Sequence, residues 1–208
     1  YIGHLGDILY SDSFHLYIYD LTIYDVRLEF LLIRTTFKGV ISIVNRLIIN
    51  TPMKTVFLSS AYLAPVEYYT KLLAYDKVFI EQHDHYMKQT YRNRCLIATA
   101  NGTQSLSIPV EKPADGRLDK TRMREVRISD HGDWRRIHWS ALCAAYGESP
   151  FFEYYADDLH PFFERPWHYL LDFNTAITHT LCALIGFQPD IHETTHYLST
   201  PLNERLDL

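Results

Sequence analysis

The stretch Glu81 to Arg94, EQHDHYMKQTYRNR, gathers two histidines, two tyrosines, a lysine, two arginines and three carboxamides into one neighbourhood. It follows a short apolar run, Lys77-Val-Phe-Ile-Glu-Gln82, which reads as a buried strand, so the polar residues begin where the strand ends. In open α/β sheets, ligands bind at that end. If the extended backbone persists to His85, side-chain alternation sends His83 and His85 to one face and Asp84 to the other. Two imidazoles would then share a cleft, an arrangement suited to moving protons near neutral pH.

The elements that must position this segment follow from Met53 onward. A strand over Lys54-Thr-Val-Phe-Leu-Ser-Ser60 runs into Ala64-Pro65, and proline at a first helical position suits a helix over Val66 to Tyr75 with Val66, Tyr69, Leu72 and Leu73 on its inner face. Strand 77–82 completes a β-α-β unit, whose crossover makes the two strands parallel. Cys95 to Ala100 and Ser105 to Val110 flank Asn101-Gly102, a strong hairpin signal, and Pro109 points to an edge position. A further strand is predicted over Arg124 to Ser129. The remainder reads as helical: Asp133 caps a helix that ends near Gly147, Ser149 to Asp158 forms a short aromatic helix, and Pro166 opens a long one. That last helix carries a stripe of Leu170, Asn174, Ile177, Leu181 and Leu184, apolar apart from Asn174, and closes at Gly186. The aromatic run SPFFEYY is read as a core seam against the sheet, with a sugar- or base-stacking platform as its alternative. The fold class expected is α/β: a small mixed sheet opening with a β-α-β unit and a hairpin, then a mainly helical C-terminal half.

A chain of 208 residues, 47% hydrophobic and 22% charged, has the composition of a soluble globular protein and the length to bury a core. Its net charge of -5 argues against a general nucleic-acid binder. Cys95, Cys143 and Cys182 are far apart and show no metal-ligand spacing, which suits free thiols in a reducing, cytoplasmic setting. The most apolar stretch, Leu28 to Ile49, is interrupted by Glu29, Arg34, Lys38 and Arg46, so no transmembrane segment is expected. Residues 1–52 lack Ala, Gln, Cys, Trp and Met, whereas Ala and Glu recur from Met53. We therefore expect Met53 to be the natural start and 1–52 to be an upstream, non-native or disordered extension. The competing reading is a strand-rich N-terminal subdomain, since runs such as HLYIYDLTIYDV have high β propensity.

The residues from SSAYLAPVEYY through LLAYDKVFIEQHDHYMKQTYRNRCLI and SIPVEKP to KTRMREVRISDHGDWRRIHW, AYGESPFFEYY and LDFN resemble the WbqC-like family, in its Bacteroides-type form. The signature Lys88-x-Thr90-Tyr91-x-Asn93-Arg94 with the trailing Trp134 and Tyr146 carries the resemblance, which covers 53–196. Many relatives have adjacent aspartates and a glutamine where this chain has Gln82, His83 and His85. Relatives also continue past the equivalent of Leu208, so 53–208 is expected to be a WbqC-like domain truncated at its C-terminus.

The resemblance implies a place in O-antigen or other surface-polysaccharide biosynthesis, with glycine transfer suggested for one member. Moving an acyl or aminoacyl group to a sugar acceptor needs a base, an anion site for a phosphate-bearing donor, and donors for the tetrahedral oxyanion. His83 or His85 is the candidate base, Lys88, Arg92 and Arg94 the anion site, Gln89 or Asn93 the amide that orients a carbonyl, and Tyr62 the rim of the cleft. Residues 86–127 hold nine cations against four acids, a focus that attracts a compact anion. A nucleotide-sugar, a lipid-linked diphospho-sugar or a phosphopantetheine arm fits that requirement.

Each feature also has a plainer reading. Arg92 and Arg94 could pair with Glu153, Asp157 or Asp158. Lys120-Thr-Arg122 and Asp130-His131-Gly132-Asp133 could form a second wall of the cleft, or a solvated loop and a helix cap. His-Asp-His alone is no metal site, so none is assigned. No cofactor is identified, and there is no glycine-rich phosphate loop, nucleophile elbow or zinc motif. A non-catalytic scaffold for other glycan-pathway enzymes therefore stands beside the transferase reading.

Overall fold

The structure, a computed structural model, describes residues 54–114 and 116–197 and the backbone of 205–206. The readings made for residues 1–52 lie outside the described residues. Strand β1, Thr55–Ser59, and strand β2, Lys77–Glu81, pair in parallel from Thr55 opposite Lys77 to Ser59 opposite Glu81. Helix α1, Val66–Ala74, makes the crossover. Its inner face is Tyr68, Tyr69 and Leu72, while Val66 remains 44% exposed. The face is turned from the expected one because the Tyr68 hydroxyl donates to the Ser59 carbonyl at the end of β1, 3.2 Å away.

The antiparallel strands β3, Arg94–Thr99, and β4, Gly102–Ser107, form a two-stranded sheet of their own. Gly102, with φ of 110°, makes the bend that a side chain would oppose. Strand β4 stops at Ser107, two residues before Pro109, which has no N–H to offer a ladder. No strand forms over 124–129. A 3₁₀ turn at Met123–Glu125 replaces its start, and only single bridges follow, Val110 to Ile128 and Arg127 to Tyr169. Apolar and polar residues still alternate, with Val126 and Ile128 buried and Arg127 exposed between them, but the backbone bonds to scattered partners: Ile128 N–H to the His168 carbonyl, and Leu170 N–H to the Val126 carbonyl.

Helices α2, Trp134–Tyr146, α3, Phe152–Glu164, and α4, Leu170–Ile185, make the C-terminal half helical, as the α/β reading expects. Strand β5, Ile191–Glu193, then joins β2, and strand β6, Arg205–Leu206, joins β1, giving a parallel sheet in the order β5-β2-β1-β6. Helix α4 separates two cores. Its Leu170, Phe173 and Ile177 face the hairpin and α2, and its Leu171 and Cys182 face the parallel sheet. A helix buried on both sides must be apolar around most of its circumference, and α4 is.

The SPFFEYY run is not a core seam. Phe151 is 53% exposed and Tyr154 71%, because the inward face of α3 is set further along, by Leu159, Phe162 and Phe163 against Trp139, Trp167 and Phe173. Among the described residues no helix is long and apolar enough to cross a membrane. All three cysteines are free; Cys95 lies in one core and Cys182 in the other, and burial pushes each thiol up to about 12.

His138 of α2 is also buried, its Nδ1 2.9 Å from the hydroxyl of the fully buried Tyr62. Burial pushes this imidazole down from 6.5 to about 4, against the raising effect of a hydrogen bond with the Ser107 backbone. The unfolded chain therefore takes up this proton first as pH falls. The stability held by the neutral ring is complete above about pH 6.5 and is lost progressively toward pH 4, by about 3 kcal/mol for a gap of that size. Denaturant titrations across this range should show a shallower loss in His138→Gln than in the unaltered protein. Equal slopes would rule out His138 as a source of the acid sensitivity.

Candidate functional site

The carboxyl ends of β1 and β2 meet a buried polar layer. Ser59, Ser60 and Glu81 are all buried there, and Thr194, just past β5, is 2% exposed. Glu81 Oε1 accepts from the His83 N–H at 2.8 Å and from the Thr194 hydroxyl at 2.9 Å. The Thr194 carbonyl in turn accepts from Gln82 Nε2 at 2.6 Å and lies 3.1 Å from His83 Nε2. A carbonyl can only accept, so Nε2 carries a proton, and the neutral ring in this position has its lone pair on Nδ1. His83 is thus held by one ring nitrogen, Nε2.

The strand does not extend to His85. The Asp84 carboxylate accepts from the His85 N–H at 2.8 Å and turns the chain, so His83 faces Thr194 while the exposed His85 bridges to Arg122. Residues 121–124 run antiparallel along 82–86: Tyr86 N–H bonds the Thr121 carbonyl, Met123 N–H the Asp84 carbonyl, and Arg124 N–H the Gln82 carbonyl. Residues directly opposite in such a pair project to one side, which sets the Arg122 and His85 side chains next to each other. The Lys120-Thr-Arg122 segment is thereby held by backbone hydrogen bonds along the histidine segment. Asp130 and Asp133 instead pair with Arg135 and Arg136, each at 2.5 Å, and serve the start of α2.

Arg92 is not an open anion ligand. It is 3% exposed, and its guanidinium bonds Asp84 Oδ2 at 2.8 Å and Ser59 Oγ at 3.2 Å. The Arg92 carbonyl accepts from Asn174 Nδ2 at 2.8 Å, and the same amide nitrogen reaches Ser60 Oγ at 2.9 Å. Asn174, read from sequence as the polar break in a stripe, thereby ties α4 to the end of β1 and to the segment that enters β3; its Oδ1 is buried without a hydrogen-bond partner.

The other expected site residues divide between positions. Tyr62 does not stand at a rim; it is enclosed between His138 and Phe173. Asn93 braces the loop after β4, its Nδ2 donating to the Ile108 carbonyl at 2.8 Å, and Arg94 donates to Ser105 Oγ across the hairpin at 2.5 Å. Neither arginine pairs with an acid of α3 in these bonds. Lys88 and Gln89 are exposed in the turn that leads to β3, with Gln89 at φ of 60°. Sequence reasoning missed Asp84, Asn174 and Thr194 as partners. Among the described residues, no three His, Cys, Asp or Glu side chains gather as a metal site.

Residues 60–206 match the WbqC-like protein family. The chain belongs to that family. The matched span takes in the paired segments 82–86 and 121–124, the hairpin, and the four α-helices of the described residues. This WbqC-like protein is also similar to Uncharacterized protein Rv1507c of Mycobacterium tuberculosis, with 31% identity over 157 residues, 74% of this chain. The chain covers 66% of that relative's length. No solved structure matches it.

Removing Arg92 takes from the Asp84 carboxylate its buried ion-pair partner. Arg92→Ala should cost about 3 to 5 kcal/mol, as for a buried pair that loses one partner. A double-mutant cycle with Asp84→Asn, read by denaturant unfolding, should show coupling. A stability loss below about 1 kcal/mol, the range of exposed pairs, would mean that the pair is open to water.

Proposed function

We propose that this WbqC-like protein acts in surface-polysaccharide biosynthesis by transferring an acyl or aminoacyl group, such as glycyl, from a phosphate-bearing donor to a sugar hydroxyl. The observation that supports this most is the geometry of His83: Nε2–H anchored on the Thr194 carbonyl, with Nδ1 left to accept a proton. A base oriented by a third group is the arrangement that proton abstraction from a weak nucleophile requires. As the sugar oxygen bonds to the acyl carbon, His83 takes the hydroxyl proton. Arg122 and Lys88 offset the charge that develops on the carbonyl oxygen. The bond from the acyl carbon to the donor then breaks, and the imidazolium returns its proton to the departing group.

His85 would act beside Arg122, polarising the acceptor or substituting as the base. Gln89, on the exposed turn, is placed to orient the carbonyl. Free buried thiols are compatible with a cytoplasmic setting, where we place the activity. A second reading, a non-catalytic scaffold for other glycan-pathway enzymes, is favoured by the exposed rings of Phe151 and Tyr154.

The full chain, supplied with a labelled glycyl donor and a diphosphate-linked sugar, should form a labelled sugar ester. His83→Ala should lower turnover about 10²- to 10⁴-fold, the range for loss of a general base, while its unfolding midpoint changes little. Turnover untouched in both His83→Ala and His85→Ala would remove the histidines from the chemistry. Absence of any transfer, together with retention of a glycan enzyme through Phe151 and Tyr154, would favour the scaffold.

A further inference from the structure

Glu81 closes β2 with a carboxylate that is only 5% exposed, at the position paired with Ser59 of β1. Taking a carboxylate out of water is costly, so the bonds that replace its hydration decide what the residue is for. One oxygen, Oε1, accepts twice: from the His83 N–H two residues on, and from the hydroxyl of Thr194, 113 positions away. Those two residues are joined again above it, where His83 Nε2 meets the Thr194 carbonyl. A single carboxylate oxygen thus grips both the backbone that carries the imidazole and the residue that receives its N–H.

We infer that Glu81 is a positioning residue for His83, acting through Thr194. Strand β5, which brings Thr194 to the site, is only three residues long, so the placement of the residue just beyond it depends on the bonds that residue makes with 80–82. Thr194 N–H bonds the Ile80 carbonyl at 3.1 Å, its hydroxyl accepts from Gln82 N–H at 3.3 Å, and the bond from that hydroxyl to Glu81 is shorter, 2.9 Å. The amide of Gln82 reaches the same carbonyl as His83 but leaves the His83 backbone to Glu81. A carboxylate also suits the task better than an amide. An ionised carboxylate offers acceptors only, so either rotation of the group presents an oxygen to the two donors, whereas an amide can turn its nitrogen toward them. Holding a base in place matters because a displacement of about 1 Å can cost about 100-fold in rate.

The inference deepens the transfer reading and rests on it only for what His83 does to a substrate. Long-range proton–nitrogen NMR of the isotope-labelled full chain, at about pH 8 where an ordinary imidazole is neutral, reads the ring without any turnover. The His83 signals are identified by their loss in His83→Gln. The unaltered protein should show two well-separated ring-nitrogen shifts, with the proton on Nε2. In Glu81→Leu both shifts should move toward the mixed values of a free imidazole, while Glu81→Gln, which keeps one oxygen acceptor, should retain most of the separation. Thr194→Val removes only the hydroxyl that Glu81 holds and should move the shifts as Glu81→Leu does; it decides the matter if Glu81→Leu does not fold. In the transfer assay Glu81→Leu should lower kcat about 10- to 100-fold at unchanged KM, with Glu81→Gln restoring most of the loss. Unmoved His83 shifts in folded Glu81→Leu, or in Thr194→Val, would overturn the assignment. Moved shifts in a protein that transfers nothing would leave Glu81 as the residue that positions His83 and remove the enzymatic reading alone.

Discussion

A guanidinium placed inside a protein must find a carboxylate and further acceptors, or the chain will rearrange until it does. Arg92 meets that demand with Asp84 and Ser59, and the course of the whole polar segment follows from it. Asp84 lies eight residues earlier, so satisfying the pair folds 84–92 back on itself and leaves Lys88 and Gln89 outside. The carbonyl of Arg92 then fixes Asn174, and through it the long helix that separates the two cores. Inner residues hold the geometry; outer residues are left in solvent.

That division explains which parts of the molecule were legible in the sequence. The β-α-β unit could be read from two short apolar runs and Pro65, and the end of α4 from Gly186, because each signal is local. The hairpin's Gly102 was legible for the same reason. Arg92 and Arg94, by contrast, look alike in sequence, yet one is buried on Asp84 and the other lies across a hairpin from Ser105. What distinguishes them is contact with residues brought from elsewhere, including an asparagine 82 positions away.

The same reason accounts for the strand that did not form at 124–129. Alternation of apolar and polar residues records which side chains turn inward, and it did so correctly for Val126 and Ile128. It cannot record where backbone groups find partners, and here they go to a turn, a bridge and the entry to α4. Tyr62 and the aromatic run at 151–155 were misplaced for a related reason. An aromatic ring with a hydroxyl suits a rim as well as a core, and only the buried partner, His138 for Tyr62, decides.

The two buried thiols have a use that neither core requires. Cys95 belongs to the cluster under the hairpin and Cys182 to the cluster under the parallel sheet, and in both the thiolate, the reactive form, is suppressed. An alkylating reagent can therefore mark each only when its own cluster opens. The order in which the two sulfurs are labelled would show whether the halves on either side of α4 breathe as one cooperative unit or as two. The protein thus carries an intrinsic pair of clocks, one for each side of its dividing helix.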